Sequence, residues 1–247
     1  MSAPRKRNGT EHMTERMKVS HPIGDEWLMA YAAGSLSEGQ SILVASHLSY
    51  LDDAGERLAT AEAAGGAMVE TILPDAMSPD ALARTLAMLD APEASGLAPT
   101  EKKASASAIS GAREAASGGD PLPPPLRAWL GRSVDELRWT PIGPGMKKVN
   151  LWRGGPNDQR LWMLRARAGI DIPMHGHSGT ELVLVLKGSL EDPHGVFRAG
   201  DLEECDGSVV HALRTGEGEE CICLALTEGP TRFKGWIARL LQPFTGL

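Results

Sequence analysis

Three cysteines in 247 residues, Cys205, Cys221 and Cys223, are too few for a disulfide framework. No apolar run is long enough to span a membrane, and the N-terminus lacks the apolar core of a signal peptide. These absences point to a cytoplasmic protein. Basic residues are scarce in one stretch. Residues 19–90 hold 2 Lys or Arg against 11 Asp or Glu, a net charge of −9 within a chain whose total is −7. Such a segment repels nucleic acid, because each phosphate contact needs Lys or Arg, and attracts a basic partner. The plain alternative is that the acidity serves solubility alone. Residues 1–18 run the other way, 5 against 2, and residues 121–247 balance at 15 against 15.

An apolar fraction of 42% supports a packed core, in one large domain or two small ones. Residues 1–20 are polar and basic without apolar periodicity and read as a flexible arm, in which Met13 or Met17 is an alternative start. Residues 21–90 read as four short helices. Asp25 caps the first, which Gly34 ends, and Ser37 caps the second. The third covers roughly residues 54–71 and ends before Pro74, and Ser78-Pro79 opens the fourth. Four short helices make a thin core that needs a metal, a partner or a neighbour to hold it. Residues 91–125, rich in Ala, Ser, Gly and Pro, read as a flexible linker that stiffens at its proline end.

From residue 126 to 247 the pattern changes to short alternating segments: 160–168, 181–186, 195–204, 209–214 and 220–227. Regular short strands of this kind suggest an antiparallel sandwich or closed barrel. Cys221 and Cys223 fall on one face of the last of these. With apolar neighbours they read as core thiols, a redox pair being the alternative.

The stretch Gly169–Gly188 carries the chemistry. His175 and His177 are two residues apart, so in an extended strand they aim at one point. Glu181 follows four residues later and opens a buried strand. Imidazole nitrogens with one carboxylate suit Zn, Fe, Mn, Ni or Cu. His211, after a hairpin-length return, is the natural fourth ligand. The spacing Gly169, His175, His177, Glu181, Gly188 resembles the first motif of the cupin superfamily at every fixed position. In the second motif Gly200 and His211 are correctly spaced. Asp206, Ser208 and Thr215 stand where proline, glycine and asparagine are usual, departures that affect the turn and pocket wall more than the ligands. His12 and His194 lie outside the pattern, and His194 is expected to face solvent in a tight turn.

The segments 30–37 and 45–51 look like the zinc-binding anti-sigma domain. Over residues 21–247, linker excepted, the chain resembles the ChrR-type two-domain anti-sigma factors, in which that helical domain precedes a cupin-like domain. Cys221–Ala225 and Leu241–Phe244 resemble stretches of that family too. The resemblance implies a small all-α bundle followed by an all-β cupin barrel, a jelly roll. It also implies an extracytoplasmic-function sigma factor as the partner of residues 21–90. The cupin would be a metal-binding sensor of singlet oxygen or organic hydroperoxide, with zinc, or else Fe, Mn or Ni, on His175, His177, Glu181 and His211. In that family a second zinc sits in the helical domain, on an N-terminal histidine and a helical His-x-x-x-Cys-x-x-Cys. Here His21 and His47 match the histidines, but Leu51 and Ala54 stand at the cysteine places and read as core. Asp52 and Asp53 diverge by about 100° on a helix and fit a tetrahedral site poorly. Zinc in the helical domain is therefore not expected, His21 and His47 being what remains of that site.

Two other readings compete. Three His, one Glu and open coordination positions would suit a cupin dioxygenase working with Fe(II), although no second acid–base pair stands near the motif. A DNA-binding regulator conflicts with the −9 segment, and the basic arm is too short and unpatterned to confer specificity.

Overall fold

A computed structural model of the chain describes residues 18–90, 119–193, 195–230 and, for the backbone, 232–233. The basic arm to residue 17, most of the linker, His12, His194 and the 241–244 stretch lie outside the described residues.

Four helices come first: α1 (Asp25–Ala32), α2 (Glu38–Leu48), α3 (Ala54–Glu70) and α4 (Ala81–Asp90). Gly34 follows α1 in the left-handed conformation, as a chain reversal requires. At α2 the Ser37 hydroxyl accepts the Gln40 N–H while the Gln40 side chain accepts the Ser37 N–H, a reciprocal capping box. Asp25 does not cap α1. The cap position is Gly24, and the Asp25 carboxylate instead binds Arg57 of α3 at 2.9 Å. The Pro-rich stretch before residue 126 is not all linker. Pro124 opens the next helix of the described residues, α5 (Pro124–Leu130), where its missing N–H costs nothing. Leu122 and Leu126 are buried, so this stretch belongs to the core.

Among the described residues, eleven strands follow in two antiparallel sheets. The first sheet has the order β1 (Thr140–Gly143), β2 (Met146–Gly154), β3 (Gln159–Ala166), β10 (Cys221–Glu228), β5 (Glu181–Lys187), β8 (Leu202–Cys205). The second runs β11 (Arg232–Phe233), β4 (Asp171–Gly176), β9 (Val210–Thr215), β6 (Ser189–Asp192), β7 (Gly195–Arg198). The alternating segment 195–204 is not one strand. Gly200, at φ +94°, turns the chain between β7 and β8, which lie in different sheets.

The continuous apolar run of β5 has a simple cause: both faces of the first sheet are covered. Val183 and Val185 face the interior between the sheets, beside Cys221, Cys223, Leu190 and Phe197. Leu182, Leu184 and Leu186 face the other way and share a core with Leu43 and Leu48 of α2, Leu28 of α1 and Leu126 of α5. Burying each such side chain contributes about 2 kcal/mol. The thin helical core is thus completed by the outer face of the barrel sheet. The approach is close: a Cβ on Gly39 of α2 would lie 2.7 Å from the Trp152 ring of β2. Leu51 and Ala54 pack in this shared core, as ordinary apolar residues would.

Candidate metal centre

The site lies between the two sheets. His175 of β4 and His211 of β9 are directly opposed in register, which brings their rings to 4.7 Å between centroids. His177 follows β4 immediately, and its ring centroid lies 5.1 Å from that of His175. Glu181 opens β5 across the interior. Its Oε2 lies 2.9 Å from His177 Nε2 and 3.4 Å from His211 Nε2. All four residues are buried, and their potential ligand atoms lie within 4.8 Å of one another. Strand spacing and strand register together bring the four side chains to one place.

These residues fit a divalent metal. His177 Nε2, His211 Nε2 and Glu181 Oε2 are buried and, apart from their contacts with one another, have no hydrogen-bond partner in the protein. Buried polar atoms are rarely left so, and these converge on one point. His175 Nδ1 sits 2.8 Å from the Pro173 carbonyl oxygen, which assigns the coordinating role to Nε2. Burial pushes the Glu181 pKa up, but His177 and His211 outweigh it and hold it down to about 2. The carboxylate therefore stays ionised, as a ligand must. Burial lowers the His175 pKa, which keeps that imidazole in its neutral, coordinating form.

Two neighbours were not singled out in the sequence. Glu203 and Cys205, alternate residues of β8, point into the same interior. Glu203 Oε1 lies 3.0 Å from His211 Nδ1, and the Cys205 thiol lies 3.7 Å from the same nitrogen. The signal was the alternation of 202–205, masked while 195–204 read as a single strand. Thr215, at the asparagine place of the second motif, is fully buried. It accepts the Ile170 N–H at 2.8 Å and donates to the Arg167 carbonyl, fastening the loop that leads into β4. Asp206 and Ser208 close their turn on each other, the Ser208 N–H donating to Asp206 at 2.8 Å. Cys221 and Cys223 share a face, sulfurs 3.4 Å apart, in the apolar interior.

His21 and His47 are engaged apart from each other. His47 is fully buried, and its Nε2 accepts the Ile23 N–H at 3.0 Å. A neutral imidazole accepting at Nε2 carries its proton on Nδ1 and has no lone pair left for a metal. The His21 ring meets the Phe197 ring at 4.5 Å between centroids, tilted by 40°, and its Nδ1 lies 3.7 Å from Asp201 Oδ2.

A family described as the ChrR cupin-like domain matches residues 130–230. The anti-sigma-E factor ChrR of Cereibacter sphaeroides is 38% identical over 230 residues, 92% of this chain and 99% of that protein. A chain in the crystal structure of Rhodobacter sphaeroides SigE in complex with the anti-sigma ChrR is 34% identical, with a TM-score of 0.66. That match covers 85% of this chain and 99% of the other.

Proposed function

This chain belongs to the ChrR family of anti-sigma factors, and from that premise we propose that it sequesters an extracytoplasmic-function sigma factor in the cytoplasm through its acidic helices. The observation that carries the reading is a run of solvent-exposed apolar side chains over the end of α3 and α4: Met68, Val69, Ile72, Leu73, Leu82 and Leu89 are each more than 60% exposed. An apolar stretch of this extent on an otherwise acidic segment is an interaction surface. A basic sigma factor, drawn by the charge and held by the apolar contacts, fits both properties.

The cupin is the sensing module. His175, His177, Glu181 and His211 hold a divalent ion, zinc first and Fe, Mn or Ni as alternatives. Bound zinc would supply a fixed, redox-inert link between the two sheets. The signal is oxidative, singlet oxygen or organic hydroperoxide. Damage at or near the site acts by changing the relative stability of the sigma-bound and free states.

Co-purification of the full chain with each sigma factor of its host tests the partner. One stable pair is expected, and binding to none would contradict the reading. The role is regulatory rather than catalytic. Turnover of a dioxygenase substrate by the Fe(II)-loaded chain would overturn that assignment.

A further inference from the structure

Glu203 lies outside the four-donor set, yet it is 96% buried by accessible surface, with 4% exposed. A buried carboxylate is costly unless paired. Its Oε1 is 3.0 Å from His211 Nδ1, while its Oε2 has no hydrogen-bond partner in the protein. In the register of β8 with β5, Glu203 is opposite Val183 and Cys205 is opposite Glu181. Both therefore project from the first sheet into the interior, behind the His211 ring as seen from the donor cluster. Cys205 also lies 3.7 Å from His211 Nδ1, but a thiol is a weak acceptor and a carboxylate a strong one.

We propose that Glu203 is the positioning residue of the metal centre: by accepting the Nδ1–H of His211 it fixes that ring so that Nε2 carries the lone pair aimed at the ion. The inference rests on the four-donor reading above. An imidazole whose Nδ1–H is taken by a carboxylate has one tautomer and one ring orientation. It is also a more basic ligand at Nε2. The arrangement spans the sandwich, since Glu203 belongs to the first sheet and His211 to the second. Glu203 thus orients a ligand of the second sheet relative to Glu181 of the first.

Zinc competition against a chromophoric chelator tests this on the full chain, comparing the parent with Glu203→Gln and Glu203→Leu. The expected result is one zinc per chain in all three. The dissociation constant rises about 10- to 100-fold in Glu203→Leu and less in Glu203→Gln, which keeps an acceptor. In the zinc-loaded parent, the His211 Nδ1–H gives a downfield, slowly exchanging proton signal. That signal moves upfield and exchanges faster in Glu203→Leu. Equal zinc affinities across the three proteins would overturn the proposal. So would an unchanged Nδ1–H signal accompanied only by a lower unfolding temperature of the zinc-free variant, which is what a merely structural role predicts. If the parent binds no zinc, or a His175→Ala, His177→Ala variant binds it equally well, the four-donor reading itself fails and Glu203 has no ion to serve.

Discussion

The Trp27 indole of α1 donates a hydrogen bond to Glu204 Oε1 at 3.0 Å. Glu204 is the neighbour of Glu203 on β8, and successive strand residues face opposite ways. One short strand therefore touches His211 with its inner face and the first helix with its outer face. Its first residue, Leu202, donates its N–H to the His21 carbonyl at 3.0 Å. A change in the order of β8 reaches the helices without an intermediary. Removing zinc with a chelator is expected to raise amide hydrogen exchange in residues 202–205 and 21–28 together, while α4 is unaffected. Exchange read by mass spectrometry checks this, and a rise confined to 202–205 would separate the site from the helices.

Asp201 is the fastening between the segment before α1 and the barrel. It is 2% exposed. Its Oδ1 accepts the N–H groups of Ser20 and His21 at 2.6 and 3.0 Å, and its Oδ2 accepts that of Arg198 at 2.8 Å. Asp201→Ala leaves these donors without their acceptor and is expected to cost about 3 kcal/mol. Asp201→Asn, which keeps one acceptor oxygen, costs less. Urea unfolding of the full chain measures both.

His47 makes the fold acid-sensitive. Burial drives its pKa down to about 4, the nearby Gly200 backbone and Asp201 pulling upward and Arg57 downward. An unfolded histidine titrates near 6.5, so between about pH 6.5 and 4 the unfolded chain binds the extra proton. Stability from this residue is complete above pH 6.5 and falls as pH drops toward 4, by about 3 kcal/mol in all. His47→Gln, whose amide oxygen can accept the Ile23 N–H without titrating, is expected to flatten that part of the pH–stability curve. An unchanged slope would assign it to other groups.

Much of this was legible in the residues, for identifiable reasons. The four donors follow from the two-residue period of a strand and a fixed hairpin length, and both are local properties. The Ser37 cap and the Gly34 reversal are local too. What stayed hidden depends on pairing across sheets. Glu203 acquires its meaning only when Gly200 turns the chain and sends β8 into the first sheet. The alternation of β5 was equally silent about its second covered face, because both sets of its side chains are apolar. His21 matched a ligand position in sequence, but its ring turned to Phe197 and its backbone to Asp201.

The apolar surface of α4 separates binding from folding. Leu82 and Leu86 are 69% and 51% exposed. Charged replacements there remove little buried area, so Leu82→Glu with Leu86→Glu is expected to alter stability by no more than about 0.5 kcal/mol. Loss of central apolar anchors typically costs about 2 kcal/mol or more of binding, so sigma affinity is expected to fall at least about tenfold. Calorimetric titration and thermal unfolding of the same variant distinguish the two.

In the proposed function an anti-sigma helical surface is joined to one metal, held in the barrel. Native mass spectrometry of the purified complex reads both parts at once. The predicted species is one chain, one sigma factor and one zinc, with the zinc absent when His175 and His177 are replaced by Ala. A complex carrying zinc in that double variant, or a chain that carries zinc but takes up no sigma factor, would contradict it.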